Sequence, residues 1–357
     1  MSTSPAHPPR RVLFLSHSHA FGAFRVGSHH YARTLASRGA DVVHLSTPVS
    51  LAHRLLGRVD RTALSAVPDG AHRDPEGVTH LVPRTLLPRP YGAFRVAREL
   101  ARHGLPDRFD VVLIDQPLLW DESVRALAPT LVYRPTDLYP GRIKSTLQHR
   151  IIAAADAVVA TSSEVRRALD PLPLPSIVLE NGVDAARFAP LGAGPRPSAC
   201  VYVGALDARF DRSQVDEWAR DHPDVRFTVA GPHSGAPAAT NNLELPGAVP
   251  YDALPALLTS ARVGLLPLSD DPLNAGRSPM KLYEYLAAGL AVVARETPVL
   301  RSDDDAGIFT YDGTAGADEA LRRALAHPTP NLAGARRAAA QSWVAKTDEL
   351  LAFLATL

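Results

Sequence analysis

The chemistry in this sequence is concentrated in one stretch, residues 274–289, which reads NAGRSPMKLYEYLAAG. Ser278 has the character of a helix N-cap, and Pro279 suits a first helical position, where its missing N–H costs nothing. Lys281 then falls in the first helical turn, with Arg277 just ahead of it. Cations at the positive end of a helix dipole are disfavoured unless an anion sits with them. Free N–H groups, the dipole and fixed positive charge together make a cradle for phosphate. Glu284 follows three residues on, on the same helical face as Lys281. A carboxylate placed there can accept both hydroxyl hydrogens of a vicinal diol such as ribose. The plainer reading is a surface pair between Lys281 and Glu284, worth only ~0.2–0.5 kcal/mol and in the less favourable order.

Other candidates lie after apolar runs. Asp137, in YRPTDLY, follows the run 131–133 and serves either as a turn residue after Pro135 or as a general base. The loop after the first apolar run carries Gly22, Arg25, Gly27 and His29, with His17 and His19 before it. Imidazole is a good base near neutral pH and equally a positioning hydrogen bonder. Gly22, Arg25 and His29 are thus candidates to contact a ligand. No third metal ligand follows His17 and His19 at helical spacing. Nor does a G-x-G-x-x-G follow the first strand, which argues against a nicotinamide or flavin site. None of Lys144, Lys281 and Lys346 has P-loop spacing, and G-x-S-x-G fails because Met280 replaces the second glycine.

These residues need elements to position them. The apolar run 12–16, a helical pattern over 28–37 and a second run at 42–45 make a strand–helix–strand unit, hence a parallel sheet. The pattern recurs with strands at 111–114, 131–133 and 157–160, a helix at 163–169, and a strand at 177–179. Residues 190–197, PLGAGPRP, read as a domain boundary. Beyond it come strands at 201–203, 227–230, 263–268 and 291–294, and helices at 214–221, 254–260 and 279–288. The last stretch, 332–357, reads as one long amphipathic helix. We therefore expect an α/β chain with a first domain over 1–189, a second over 190–335 and a C-terminal helix at 336–357. Ligands of such sheets bind at the carboxyl edge of the strands. Residues 51–108 hold ten arginines and six acidic residues, and no element is assigned to them.

Composition sets outer limits. The 357 residues are 46% hydrophobic and 21% charged, which is globular and excludes wholesale disorder. Aromatics at 6% argue against base-stacking platforms and a nucleic-acid partner. Cys200 is the single cysteine, so no internal disulfide and no multi-cysteine zinc site exists. No apolar signal region opens the chain, and no apolar run reaches the ~20 residues a membrane span needs. A cytoplasmic protein is the expectation. The net charge of +1 conceals 23 basic and 17 acidic residues in 1–190 against 15 and 20 in 191–357. A basic front half suggests an acidic acceptor or an anionic membrane surface, with Arg54, Arg58 and Arg61 as contacts.

The segment PMKLYEYLAAG (279–289) with its following strand resembles the donor-site signature of nucleotide-sugar glycosyltransferases of the GT-B fold. It is most like family-4-type enzymes and the xanthan-type glucuronosyltransferases. ATSSE (160–164), LENGVD (179–184), YVGA (202–205) and GAVPY (247–251) fit the same family in order. The resemblance implies two Rossmann-like domains facing a central cleft, with the C-terminal helix crossing back to the N-terminal domain. By it, Glu284 binds the nucleotide ribose, and Lys281 with Arg277 or Ser278 holds the diphosphate. Backbone around Tyr251 reads the base, Gly204 lets the chain approach the phosphates, and Arg209 is a second phosphate ligand. Asp137 is the implied general base, and Gly22, Arg25 and His29 are expected to meet the acceptor or its sugar. Two departures stand out: Gly276 occupies the position of a second glutamate usual in family 4, and the usual Arg/Lys pair after Gly204 is reduced to Arg209.

The expected function is sugar transfer from a nucleoside diphosphate sugar, UDP for preference, to a hydroxyl of a natural product, polysaccharide or lipid-linked glycan. No metal and no cofactor beyond the donor is expected. The rival readings are a nucleotide-sugar 2-epimerase and a non-catalytic protein that binds an anionic polymer.

Overall fold

The structure is a computed structural model that describes residues 9–357 apart from 23–24, 53–66, 90, 93, 190–193, 195, 233–237 and 315. Arg54, Arg58 and Arg61 lie outside the described residues, as does most of the segment 190–197. The chain divides into two compact units, Met1–Glu180 with Thr347–Leu357, and Asn181–Lys346. The division therefore precedes the Gly/Pro-rich segment, and the last residues belong with the first unit.

The first unit is built on an eight-stranded sheet. Its strands in chain order are β1 (Arg11–Ser16), β2 (Asp41–Ser46), β3 (Ala71–Arg73), β4 (Val78–Leu81), β5 (Val111–Ile114), β6 (Thr130–Tyr133), β7 (Ala157–Ala160) and β8 (Ser176–Val178). They lie in the order β8-β7-β6-β5-β1-β2-β4-β3, all parallel except β3. The central strands are apolar on both faces because helices cover both. Val12, Leu13, Phe14 and Leu15 are all fully buried. Strand order reverses between β1 and β5, so the carboxyl ends there, at His17 and Asp115, open the crevice where such sheets take ligands.

The second unit repeats the plan with six parallel strands: β9 (Ala199–Val203), β10 (Arg226–Ala230), β11 (Leu243–Gly247), β12 (Val263–Leu266), β13 (Ala291–Arg295) and β14 (Ile308–Tyr311). Their order is β11-β10-β9-β12-β13-β14, with the reversal between β9 and β12. Cys200 is buried in β9, and burial pushes its thiol pKa up. Two strands of this unit escape the sequence reading, as β3 and β4 do in the unassigned stretch 51–108 of the first: β11, which contains Pro246 and lies at a sheet edge where a missing N–H is tolerated, and β14 at the opposite edge. The 332–357 stretch is two helices, Leu332–Ala340 and Trp343–Leu354, separated at Gln341–Ser342. The break lets Val183 pair with this turn, donating to the Gln341 carbonyl and accepting from the Trp343 N–H.

Candidate active site

The 279–289 signature forms the helix Met280–Ala287, here α1, which begins directly after Pro279. Tyr285, fully buried, fixes this helix to the sheet: its hydroxyl accepts the Val203 N–H at 2.9 Å. Gly264 in β12 makes room for the ring, since a Cβ there would stand 2.3 Å from it. Leu282 and Leu286 complete the buried face. Lys281 is thereby held beside the end of β9, with Glu284 acting on it from the next turn.

That end is Gly204, which has φ +157° and accepts no side chain. A Cβ would come within 2.6 Å of the Lys281 Cε and 2.7 Å of the Tyr202 hydroxyl. The close approach expected of this glycine is thus first to Lys281. Gly231, at the end of β10, packs still closer, for a Cβ there would overlap the Gly204 carbonyl oxygen at 1.6 Å. Strand ends, backbone and lysine stem therefore meet at the reversal point of the sheet.

The electrostatics agree with an anion cradle. Burial, helped by the Arg277 charge, lowers the Lys281 pKa against the opposing pull of Glu284. Glu284 is 8% exposed, and burial raises its pKa against the opposing charge of Lys281. Arg277 and Arg209 both act on Lys281, so three cations share one locality. Arg209 is not reserved for a ligand: Asp207 accepts its backbone N–H at 3.0 Å and its guanidinium at 3.1 Å. Asp207 escaped sequence reasoning, although the DAR spacing carries the signal of such a turn.

Ser278 has a different role from the helix cap the sequence suggests. Its hydroxyl accepts the Asn181 N–H at 3.1 Å, and its carbonyl accepts from Asn181 Nδ2 at 2.8 Å. Tyr251 opens a short 3₁₀ turn, with Phe188 edge-on at 5.9 Å and the Arg187 guanidinium over its ring at 4.7 Å. A ring so supported can flank a nucleotide base.

In the first unit, Asp137 sits partly buried in the loop after β6 and accepts the Leu138 N–H at 3.0 Å. This loop also carries Arg134, which is 2% exposed and paired with the buried Asp115 at 3.1 Å. Arg134 lies over the Tyr31 ring at 5.1 Å, and the Tyr139 hydroxyl donates to the Asp115 carbonyl at 3.4 Å. Burial pushes the Asp115 pKa up to about 6 despite Arg134. No sequence motif announces this pair, because its members are 19 residues apart.

His29 is occupied by the fold itself. Its Nδ1 accepts the Val26 N–H at 3.1 Å and its Nε2 lies 3.0 Å from the Ser18 carbonyl, which fixes the Nε2-protonated tautomer. Burial and the neighbouring His44 hold its pKa well below the ordinary value. Arg25 donates to the Ala20 carbonyl at 2.5 Å, and Gly22 lies against the His19 ring. Among the described residues, no group of three His, Cys, Asp or Glu is arranged to hold a metal ion. Among them too, no helix is long and apolar enough to cross a membrane.

Known proteins share this architecture. Residues 212–349 match the family model described as glycosyl transferase-like. TuaH of Bacillus subtilis (strain 168), assigned by name to teichuronic acid biosynthesis as a glycosyltransferase, is 24% identical over 222 residues. That match covers 57% of this chain and 55% of TuaH, about half the length of this curated relative. Sucrose-phosphate synthase from Thermosynechococcus elongatus superposes with a TM-score of 0.71 at 15% identity, covering 97% of this chain and 99% of that one. HepE of Anabaena, solved with UDP and glucose, gives 0.67 at 14% identity and the same coverages. The chain has the GT-B fold of nucleotide-sugar glycosyltransferases. With the family match, this bears out the resemblance to GT-B glycosyltransferases.

Proposed function

We propose that the protein transfers a sugar from a nucleoside diphosphate donor, UDP first among the candidates, to an acceptor hydroxyl. The observation that carries this reading is the placement of Lys281 against Gly204, with Glu284 beside Lys281, at the reversal point of the second sheet. Glu284 takes the ribose hydroxyls, Lys281 and Arg277 take the diphosphate, and the segment at Tyr251 flanks the base. HepE, solved with UDP and glucose, supports the choice of nucleotide, and TuaH supports a glycan acceptor.

In the reaction, the acceptor oxygen attacks the anomeric carbon while the bond from that carbon to the diphosphate breaks. Asp137 takes the hydroxyl proton as general base. The leaving diphosphate carries the negative charge, and Lys281 and Arg277 stabilise it without a bound metal. The basic excess of residues 1–190 supports an acidic acceptor or peripheral contact with an anionic membrane from the cytoplasmic side. Equal sedimentation with neutral and anionic liposomes would remove the membrane half of that statement.

Calorimetric titration with UDP, GDP and dTDP tests the donor assignment on wild type and Glu284→Ala. One nucleotide should bind, and the substitution should weaken it by roughly 1.5–3 kcal/mol, the scale of a lost hydrogen bond to a charged group. Equal binding by both proteins overturns the ribose assignment.

A further inference from the structure

Asn181 is the first residue of the second unit and follows directly on Glu180 of the first. Nothing in the donor chemistry calls for it, yet it makes two hydrogen bonds to one residue 97 positions away. Its backbone N–H donates to the Ser278 hydroxyl at 3.1 Å and its side-chain amide donates to the Ser278 carbonyl at 2.8 Å. Ser278 stands between Arg277 and the helix that carries Lys281 and Glu284.

The loop needs such a support. Pro279, as the residue flanking the helix, makes no side-chain cap. Upstream, Asn274 is tied to the Arg209 and Ser269 carbonyls at 3.1 and 3.0 Å, which anchors the start of the segment. Its far end is anchored by Tyr285. Between these anchors, Asn181 is the group that holds Ser278. Asn181 is itself fixed from the other side, because Gly182 leaves no room beside it. A Cβ at Gly182 would stand 2.9 Å from the Gln341 carbonyl oxygen and 3.1 Å from the Trp343 ring. Val183 is bonded to the same turn in both directions. The Asn-Gly pair thus braces a loop at the site against the turn at 341–343.

We infer that Asn181 is a positioning residue for the phosphate cradle: by clamping Ser278 it sets where Arg277 and Lys281 stand, although it touches no donor atom. This deepens the donor reading and rests on it. Linkage makes the effect reciprocal. A nucleotide that orders the Arg277–Lys281 loop also orders the junction where the chain passes from one unit to the other.

Two measurements test this with UDP as the probe, on wild type, Asn181→Ala and Ser278→Ala. In hydrogen exchange without nucleotide, Asn181→Ala should raise exchange at 277–282 and leave strands β9 and β12 unchanged. In calorimetry, the same variant should weaken UDP by roughly three- to tenfold, the range of one ordinary hydrogen bond. Ser278→Ala, which removes only the hydroxyl acceptor, should expose the Asn181 amide to exchange. UDP should protect residues 180–183 in wild type and protect them less in Ser278→Ala. Unchanged exchange at 277–282, or exchange raised evenly across the unit, overturns the inference. So does wild-type UDP affinity in Asn181→Ala with the loop demonstrably loosened. If wild type binds none of UDP, GDP and dTDP, the donor reading fails, and the positioning role with it, while the exchange data still report whether the clamp exists; if it binds GDP or dTDP instead, that nucleotide is the probe for the same comparison.

Discussion

The carboxyl edges of the two sheets are built alike and used differently. At the second unit's edge, Lys281, Arg277 and Glu284 come from one short stretch, and the Lys281 stem packs directly against Gly204. At the first unit's edge, the polar groups are largely engaged with each other. Arg134 is buried on Asp115, His29 is bonded at both nitrogens, and His44 Nε2 meets the Ser28 hydroxyl at 3.0 Å. The lesson is that polar residues at a strand end do not by themselves make a site. What distinguishes the second edge is charge in excess of its local partners, packed against strand ends that carry glycine.

The comparison can be broken most forcefully in the first unit. Asp115→Asn leaves the Arg134 guanidinium buried opposite a neutral amide, and losing one partner of a buried pair costs about 3–5 kcal/mol. Thermal or urea unfolding should register a loss on that scale; a change below ~1 kcal/mol would show that water already reaches the pair. In the second unit the largest expected effect is on binding rather than folding. Lys281→Met should weaken UDP by roughly 1.5–3 kcal/mol, the scale of a lost hydrogen bond to a charged group. A fall in stability with unchanged binding would reverse the assignment of Lys281.

A pH series sharpens the same contrast. His29 and His44 have folded pKa values well below 6.5, the first cause in each being burial. The unfolded chain therefore binds more protons below pH 6.5, and stability, fully present above that value, should fall as pH drops below it. The slope should approach 1.4 kcal/mol per pH unit for each histidine fully protonated in the unfolded chain. Replacing His44 with Gln should flatten it; an unaltered slope places the acid sensitivity elsewhere. The smallest effect is expected at Arg209. Because Asp207 already engages it at a partly exposed position, Arg209→Ala should weaken UDP by no more than roughly 1 kcal/mol. A larger loss would mean that the nucleotide takes Arg209 away from Asp207.

Much of the fold is legible in the sequence because doubly covered strands are short unbroken apolar runs. The runs at 111–114 and 157–160 coincide with β5 and β7 residue for residue. Edge strands lose this signal: β11 carries Pro246 and alternates in exposure, so pattern alone does not mark it. The break at Gln341–Ser342 is invisible to helical periodicity, since it is imposed by pairing with Val183. The proposed donor cradle is legible because Arg277, Lys281 and Glu284 are local in sequence. The Asp115–Arg134 pair and the Asn181–Ser278 clamp are not, since each joins segments that only the folded sheet brings together.

Cys200 has a practical consequence for anyone who wishes to watch this protein move. Its thiol is buried in β9 and held protonated, so maleimide dyes have no reactive native sulfur to find in the folded chain. A cysteine introduced on an exposed helix of each unit would accept a donor and an acceptor fluorophore without any prior removal of Cys200. The native protein is thus a ready background for single-molecule energy transfer between its halves as nucleotide is added.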